Sequence, residues 1–144
     1  MKTVKEILEK KGSQVWSISP DESGYAALKI MADKNIGALV VVESGKMVGV
    51  YSERDYARKV ILMGKSSKET AVRSLMSTNI ISVNPDHSID VCMAIMSEKQ
   101  IRHLPVLEND DLVGLISIGD VVSMIISDQK FTIDQLEKYI TGSL

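Results

Sequence analysis

Val48-Gly49-Val50-Tyr51-Ser52-Glu53-Arg54-Asp55 returns as Val113-Gly114-Leu115-Ile116-Ser117-Ile118-Gly119-Asp120. Both copies run from an apolar strand-like stretch into Gly-x-x-Ser-x-x-Asp. The offset is 65 residues. The same offset aligns Ser17 with Ser82, Pro20-Asp21 with Pro85-Asp86, and Leu39-Val40-Val41 with Leu104-Pro105-Val106. Over 16–58 against 81–123, fifteen of 43 positions are identical without a gap. The chain is therefore a tandem repeat, and the repeat sets the fold.

Inside each copy the order of elements is the same. A short extended piece comes first, at Val15–Ile18 and Ile80–Val83. Pro-Asp follows and suits a helix start, because proline cannot continue a preceding helix and acids favour the first turn. Ala26, Ala27, Ile30 and Met31 then fall at helical spacing, as do Val91, Met93, Ala94 and Ile95. Two apolar runs separated by Ser44-Gly45 or by Asn109-Asp110 read as hairpins. Pro105 belongs at a strand start or on an edge, because it cannot donate to a ladder. Helices are expected from Ser52 to about Met63 and from Ser117 to about Ser127.

Each unit is thus β-α-β-β-α, and the fold class is α+β (α/β), with the two repeats related by approximate twofold symmetry. A short helix at Val4–Lys10 precedes them. A separate closing helix at Phe131–Ile140 carries an apolar stripe of Phe131, Ile133, Leu136 and Ile140. The organisation reads as residues 1–66 for the N-terminal helix with the first repeat, 67–130 for the second repeat, and 131–144 for the closing helix and tail.

Composition narrows the function. The chain has 144 residues, 44% hydrophobic and 25% charged, as in ordinary globular proteins. A lone repeat of this size buries too little surface to be comfortable alone, so a shared core is expected. A net charge of −2 argues against a general nucleic-acid binder. The single Cys92 lies in an apolar helix-like run and reads as buried and inert. With no disulfide framework, no signal-peptide pattern and no membrane-length apolar run, a cytoplasmic protein without membrane contact is expected. His87 and His103 are not spaced as a metal pair, so no metal site is expected.

The Gly-x-x-Ser-x-x-Asp endings, the run Arg102-His103-Leu104-Pro105-Val106 and the segment Val72-Arg73-Ser74-Leu75-Met76-Ser77 together resemble a pair of CBS domains. The resemblance spans about residues 4–128 and extends to small stand-alone CBS-pair proteins. It implies a regulatory module that binds an adenosine nucleotide in the cleft between the repeats. The family's ligands include AMP, ADP, ATP, NAD and S-adenosylmethionine. It also implies a homodimer, with an unidentified effector protein reading the bound state, and no catalytic cofactor.

Transferred to this chain, the resemblance gives ligand contacts at Trp16, Ser17, Gly37, Ala38, Ser52, Arg54, Asp55 and Arg58 in the first copy. In the second it gives Ile81, Arg102, His103, Pro105, Ser117, Gly119 and Asp120. The chemistry is coherent. A helix N-terminus welcomes phosphate, a serine there can donate to it, and a carboxylate one turn on accepts from a ribose diol. Ser-x-x-Asp is also close to a capping box, which serves only the helix itself. Arg102 could grip phosphate bidentately or be a solvated charge. Trp16 could stack on a base or anchor packing.

The copies differ in their cations. Arg54 and Arg58 belong to one, Arg102 and His103 to the other, and unequal pockets are expected. Two other functions compete with the sensor. One is a structural or partner-binding protein with vestigial sites. The other is a nucleotide-processing enzyme using Ser117, Asp120 and His103, and this the sequence disfavours.

Overall fold

The computed structural model describes residues 2–141, so the tail expected at 142–144 lies outside the described residues. The elements are α1 (Val4–Lys11), β1 (Ser17–Ile18), α2 (Gly24–Lys34), β2 (Ala38–Glu43), β3 (Lys46–Ser52) and α3 (Glu53–Asp55). Then come α4 (Ile89–Lys99), β4 (His103–Glu108), β5 (Asp111–Ser117) and α5 (Ile118–Thr141). A π-helical stretch at Tyr56–Ile61 continues α3, and a 3-10 turn occupies Val72–Ser74. The class is α+β, as the repeat requires.

The hairpins are built alike. β2 pairs with β3, and β4 with β5, antiparallel. Ser44 and Gly45 have φ of 52° and 77°, and Asn109 and Asp110 have 52° and 66°. Two successive positive φ values give the tight turn whose twist matches a hairpin. Each ladder also slips by one residue at the same place, between Val41 and Val42 and between Val106 and Leu107. The bulge is thus duplicated with the sequence.

The helices that precede the hairpins start slightly later than the Pro-Asp pairs. Ser23 Oγ accepts from the Ala26 N–H at 3.0 Å, and Ser88 Oγ from the Val91 N–H at 3.2 Å. These serines, not Pro20-Asp21 or Pro85-Asp86, are the N-caps.

The early strands depart from expectation. β1 is only Ser17–Ile18, parallel to Val40–Val41. In the second copy Ile80–Val83 forms no strand, and a single bridge joins Val83 to Val106. The cause is the residue opposite. In the first copy the Val40 N–H donates to the Trp16 carbonyl at 3.3 Å. Its counterpart, Pro105, has no N–H to give, so the ladder shortens to the bonds around Val83. Pro105 consequently sits inside β4, paired with Leu115, with its imino side on the edge.

The described chain divides into two compact units. The first is Gln14–Ile81. The second joins the residues through Ser13 to those from Ser82 on. This differs from a boundary at 66/67. α1 precedes the first repeat but packs in the second unit, where Thr3 bridges Ser88. The segment at Ala71–Ser77 precedes the second repeat but packs in the first unit, where Ala71 bridges Ser23 and Ser77 bridges Val50.

Two glycines mark these contacts. A Cβ on Gly49 would lie 2.7 Å from Met76 Sδ and 2.9 Å from the Ser77 carbonyl oxygen. A Cβ on Gly114 would lie 2.6 Å from Leu8 Cδ2. The glycine of Gly-x-x-Ser-x-x-Asp is therefore a docking notch for the preceding segment of the other repeat.

The first unit's core is Ile18, Ala27, Met31, Leu39, Val41, Tyr51, Val60, Val72 and Leu75. In the second unit Val4, Ile7, Val83, Ile89, Cys92, Met96, Leu104, Val106, Ile116, Val121 and Met124 are buried. Each large apolar side chain so buried contributes about 1.5–3 kcal/mol before entropy. Burial pushes the Cys92 thiol up, as expected of an inert cysteine.

Finally, the two helices expected at 117–127 and 131–140 are one, α5. Ser127-Asp128-Gln129-Lys130 contains neither glycine nor proline, so nothing stops the helix there.

Candidate functional site

Both Ser-x-x-Asp segments stand where a hairpin strand becomes a helix. In the first unit Ser52 ends β3 and Asp55 closes a capping box. The Ser52 N–H donates to Asp55 Oδ2 at 3.0 Å, and the Asp55 N–H donates to Ser52 Oγ at 3.1 Å. The Ser52 hydroxyl also donates to Asp55 Oδ2 at 3.0 Å. In the second unit the Ser117 N–H donates to Asp120 Oδ2 at 2.8 Å, and the Asp120 N–H to Ser117 Oγ at 3.1 Å. The cap reading is thus correct, and it leaves both carboxylates ionisable acceptors at a helix start.

The neighbouring strand faces each cap in the same register. Ala38 is opposite Ser52, and the Gly37 carbonyl accepts from the Glu53 N–H at 3.0 Å. His103 is opposite Ser117, and the Arg102 carbonyl accepts from the Ile118 N–H at 2.8 Å. So Gly37, Ala38, Ser52, Arg54 and Asp55 come together in one unit, and Arg102, His103, Ser117, Gly119 and Asp120 in the other. Arg58 and Arg102 are exposed, while Arg54 and His103 are half-buried. Gly119 is open: a Cβ there would make only an ordinary contact with Ser117 Oγ at 3.5 Å.

The remaining candidates lie elsewhere. Trp16 precedes β1, packs on the first core, and has Lys34 Nζ 4.3 Å from its ring centroid. Ser17 is exposed on β1 and lines an open groove of about 550 Å³ with Glu22, Lys29, Ile30 and Asp33. Ile81 is half-buried at the last position of the first unit, outside any strand. Pro105 is a buried strand residue. His87 is half-buried, with Nδ1 accepting from the Asn84 N–H at 2.9 Å.

Two lysines complete the sites. Lys59 Nζ lies 3.3 Å from Asp55 Oδ1 and donates to the Leu75 carbonyl at 2.9 Å. The Asp55–Lys59 spacing of four residues signals such a pair in sequence. Lys11 Nζ donates to Asp120 Oδ2 at 2.7 Å and to the Leu115 carbonyl at 3.0 Å. It comes from α1, and no local spacing announces it. Burial raises the Asp120 carboxyl, but hydrogen bonds from Lys11 and the Ser117 backbone outweigh that and hold it below the usual carboxylate value.

Comparison with known proteins bears on this paired geometry. The sequence model of the CBS domain matches residues 4–61 and again 72–127. The chain belongs to the CBS-domain family. The mitochondrial CBS domain-containing protein CBSX3 of Arabidopsis thaliana is 36% identical over 150 residues, covering 97% of this chain and 72% of its own. A putative signal-transduction protein with CBS domains from Burkholderia ambifaria superposes with a TM-score of 0.86 at 46% identity, covering 89% of this chain and 96% of that one. The CBS domain pair of protein MJ0100 was solved in complex with 5′-methylthioadenosine and S-adenosyl-L-methionine. It superposes with a TM-score of 0.79 at 25% identity, covering 89% of this chain and 98% of that one. Among the described residues of this CBS pair, no helix is long and apolar enough to cross a membrane.

Proposed function

We propose that this CBS pair is a regulatory module that binds an adenosine nucleotide at its Ser-x-x-Asp segments and works as a homodimer. The observation that carries the reading is the duplicated frame. In both units a carboxylate is fixed by a backbone N–H at a helix start, beside a strand residue held in register with the serine. Such a carboxylate accepts from a ribose diol, and the serine with the nearby Arg54, Arg58, Arg102 and His103 offers donors to phosphate. AMP, ADP, ATP, NAD and S-adenosylmethionine share the adenosine that this frame would hold. The adenosine ligands of MJ0100 support the class of ligand.

A second reading has one observation in its favour. Lys59 and Lys11 already pair with Asp55 and Asp120, as they would in sites kept only for structure. A thermal-shift screen with the five ligands separates the two. A ligand at 100 times its dissociation constant stabilises the folded chain by about 2.7 kcal/mol. The sensor reading expects such a shift from at least one ligand. No shift from any of them supports the structural reading.

A further inference from the structure

Lys11 Nζ donates to Asp120 Oδ2 at 2.7 Å and to the Leu115 carbonyl at 3.0 Å. The Ser117 N–H donates to the same Oδ2 at 2.8 Å. A carboxylate oxygen offers two lone pairs, so these two donors fill Oδ2. A vicinal ribose diol that binds a carboxylate spans both of its oxygens, and one of the two donors must then give way. Ser117 is fixed by its ladder, where it faces His103. Lys11 is a flexible stem whose side chain is 37% exposed. The lysine is the donor that moves.

The first unit differs. There Lys59 Nζ sits 3.3 Å from Asp55 Oδ1, while the Ser52 N–H and hydroxyl both donate to Oδ2 at 3.0 Å. A hydroxyl rotates freely, so Ser52 can turn aside and admit a diol without moving the lysine. At Asp120 admission costs the ion pair itself.

We infer that Lys11 is a specificity-determining residue of the Asp120 site, passing from the carboxylate to the ligand's 5′-phosphate, so that this site favours 5′-phosphorylated adenosine over neutral or cationic adenosine compounds. The inference rests on the proposed function, in which Asp120 takes the ribose diol. An ammonium has three donors. With one kept on the Leu115 carbonyl, Lys11 stays at the site and turns the others to a new acceptor. A phosphate replaces the lost carboxylate as its counter-ion. Adenosine offers no anion, and the sulfonium of S-adenosylmethionine sets like charge beside the ammonium. α1 itself is held by other contacts, since Val4 and Ile7 are buried and Leu8 packs at Gly114. A change at Lys11 therefore leaves the helix docked.

Calorimetric titration of full-length Asp55→Ala, in which the first site is disabled, with AMP and with adenosine tests this. AMP should bind more tightly. Adding Lys11→Met should tighten adenosine and weaken AMP, each by up to about fivefold, while near-UV circular dichroism shows the fold unchanged. Lys11→Arg should keep the preference. A lysine that only braces α1 would alter both ligands alike, so an unchanged ratio of the two affinities in Lys11→Met would overturn the inference and leave the nucleotide reading standing. Equal loss of the preference in Lys11→Arg and Lys11→Met would overturn its assignment to the charge. Failure of Asp55→Ala to bind either compound would also overturn it. Failure of the intact chain to bind any adenosine ligand would overturn the nucleotide reading with it.

Discussion

Lys11 Nζ lies 2.7 Å from Asp120 Oδ2, although 109 residues of chain separate them. The corresponding carboxylate of the first repeat, Asp55, is met by Lys59 from one turn along its own helix, at 3.3 Å. The repeat has duplicated the carboxylate and its cap but not the cation. One site is closed locally. The other depends on α1, an element outside both repeats.

Removing Lys11 should therefore affect stability and its pH dependence together. Asp120 is held below its ordinary value in the folded chain. Its contribution is thus present above the unfolded carboxylate value and is lost as pH falls through the lowered folded value. Lys11→Met should reduce stability at neutral pH by about 0.5–1 kcal/mol. It should also flatten the acid limb of a urea-midpoint-versus-pH curve. An unchanged acid limb would show that the pair contributes nothing to folding.

Gly49→Ala should be the more damaging of the two notch substitutions. The new methyl would press on the Ser77 backbone as well as on Met76, whereas at Gly114 it meets only the end of the Leu8 side chain. Overpacking of this kind costs about 1–3 kcal/mol. The expected result by urea unfolding is a loss in that range for Gly49→Ala and a smaller one for Gly114→Ala. The reverse order would contradict the docking role assigned to the 71–77 segment.

Tyr51 is fully buried and its hydroxyl has no hydrogen-bond partner among the described residues. Burial first, then the nearby Asp55 and Tyr56, push its pKa up to about 12. Because the folded value is raised, the stability linked to this proton is complete below about pH 10 and is lost as pH rises toward about 12. Tyr51→Phe removes a desolvated, unsatisfied group. It should leave neutral-pH stability unchanged or raise it by about 1 kcal/mol. It should also extend the stable range on the alkaline side. Thermal melts from neutral pH upward check both, and a clear loss at neutral pH would point to a partner for the hydroxyl.

The two sites should lose ligand unequally when their carboxylates are removed. Asp55 shares its helix start with Arg54 and Arg58, and Asp120 shares its own with Arg102, His103 and the incoming Lys11. Calorimetric titration of Asp55→Ala and Asp120→Ala with the best ligand of the thermal screen should give different losses in affinity. Equal losses would contradict the inequality.

Much of this was readable because the repeat gives each local signal twice. Ser52 with Asp55, and Ser117 with Asp120, cap their helices as Ser-x-x-Asp predicts. The hairpin turns at Ser44-Gly45 and Asn109-Asp110 follow from residues that tolerate positive φ. What the sequence hid is non-local. Lys11 reaching Asp120, and the packing of 4–11 and 71–77 away from the repeats they precede, depend on contacts between segments far apart in sequence, which no periodicity encodes. The missing strand at Ile80–Val83 was half visible. Pro105 lacks a donor, and the missing donor is the one that the equivalent Val40 gives to the early strand of the first copy. Two apolar patterns on either side of Ser127 predict two helices, yet no residue between them stops a helix and α5 runs through.

Isothermal titration of the intact chain and of Asp55→Ala/Asp120→Ala, with each adenosine ligand in turn, tests the central claim most directly. Saturable binding of at least one ligand to the intact chain is expected, and its loss in the double variant while the fold persists. Undiminished affinity in the folded double variant, or no binding by the intact chain, would contradict it.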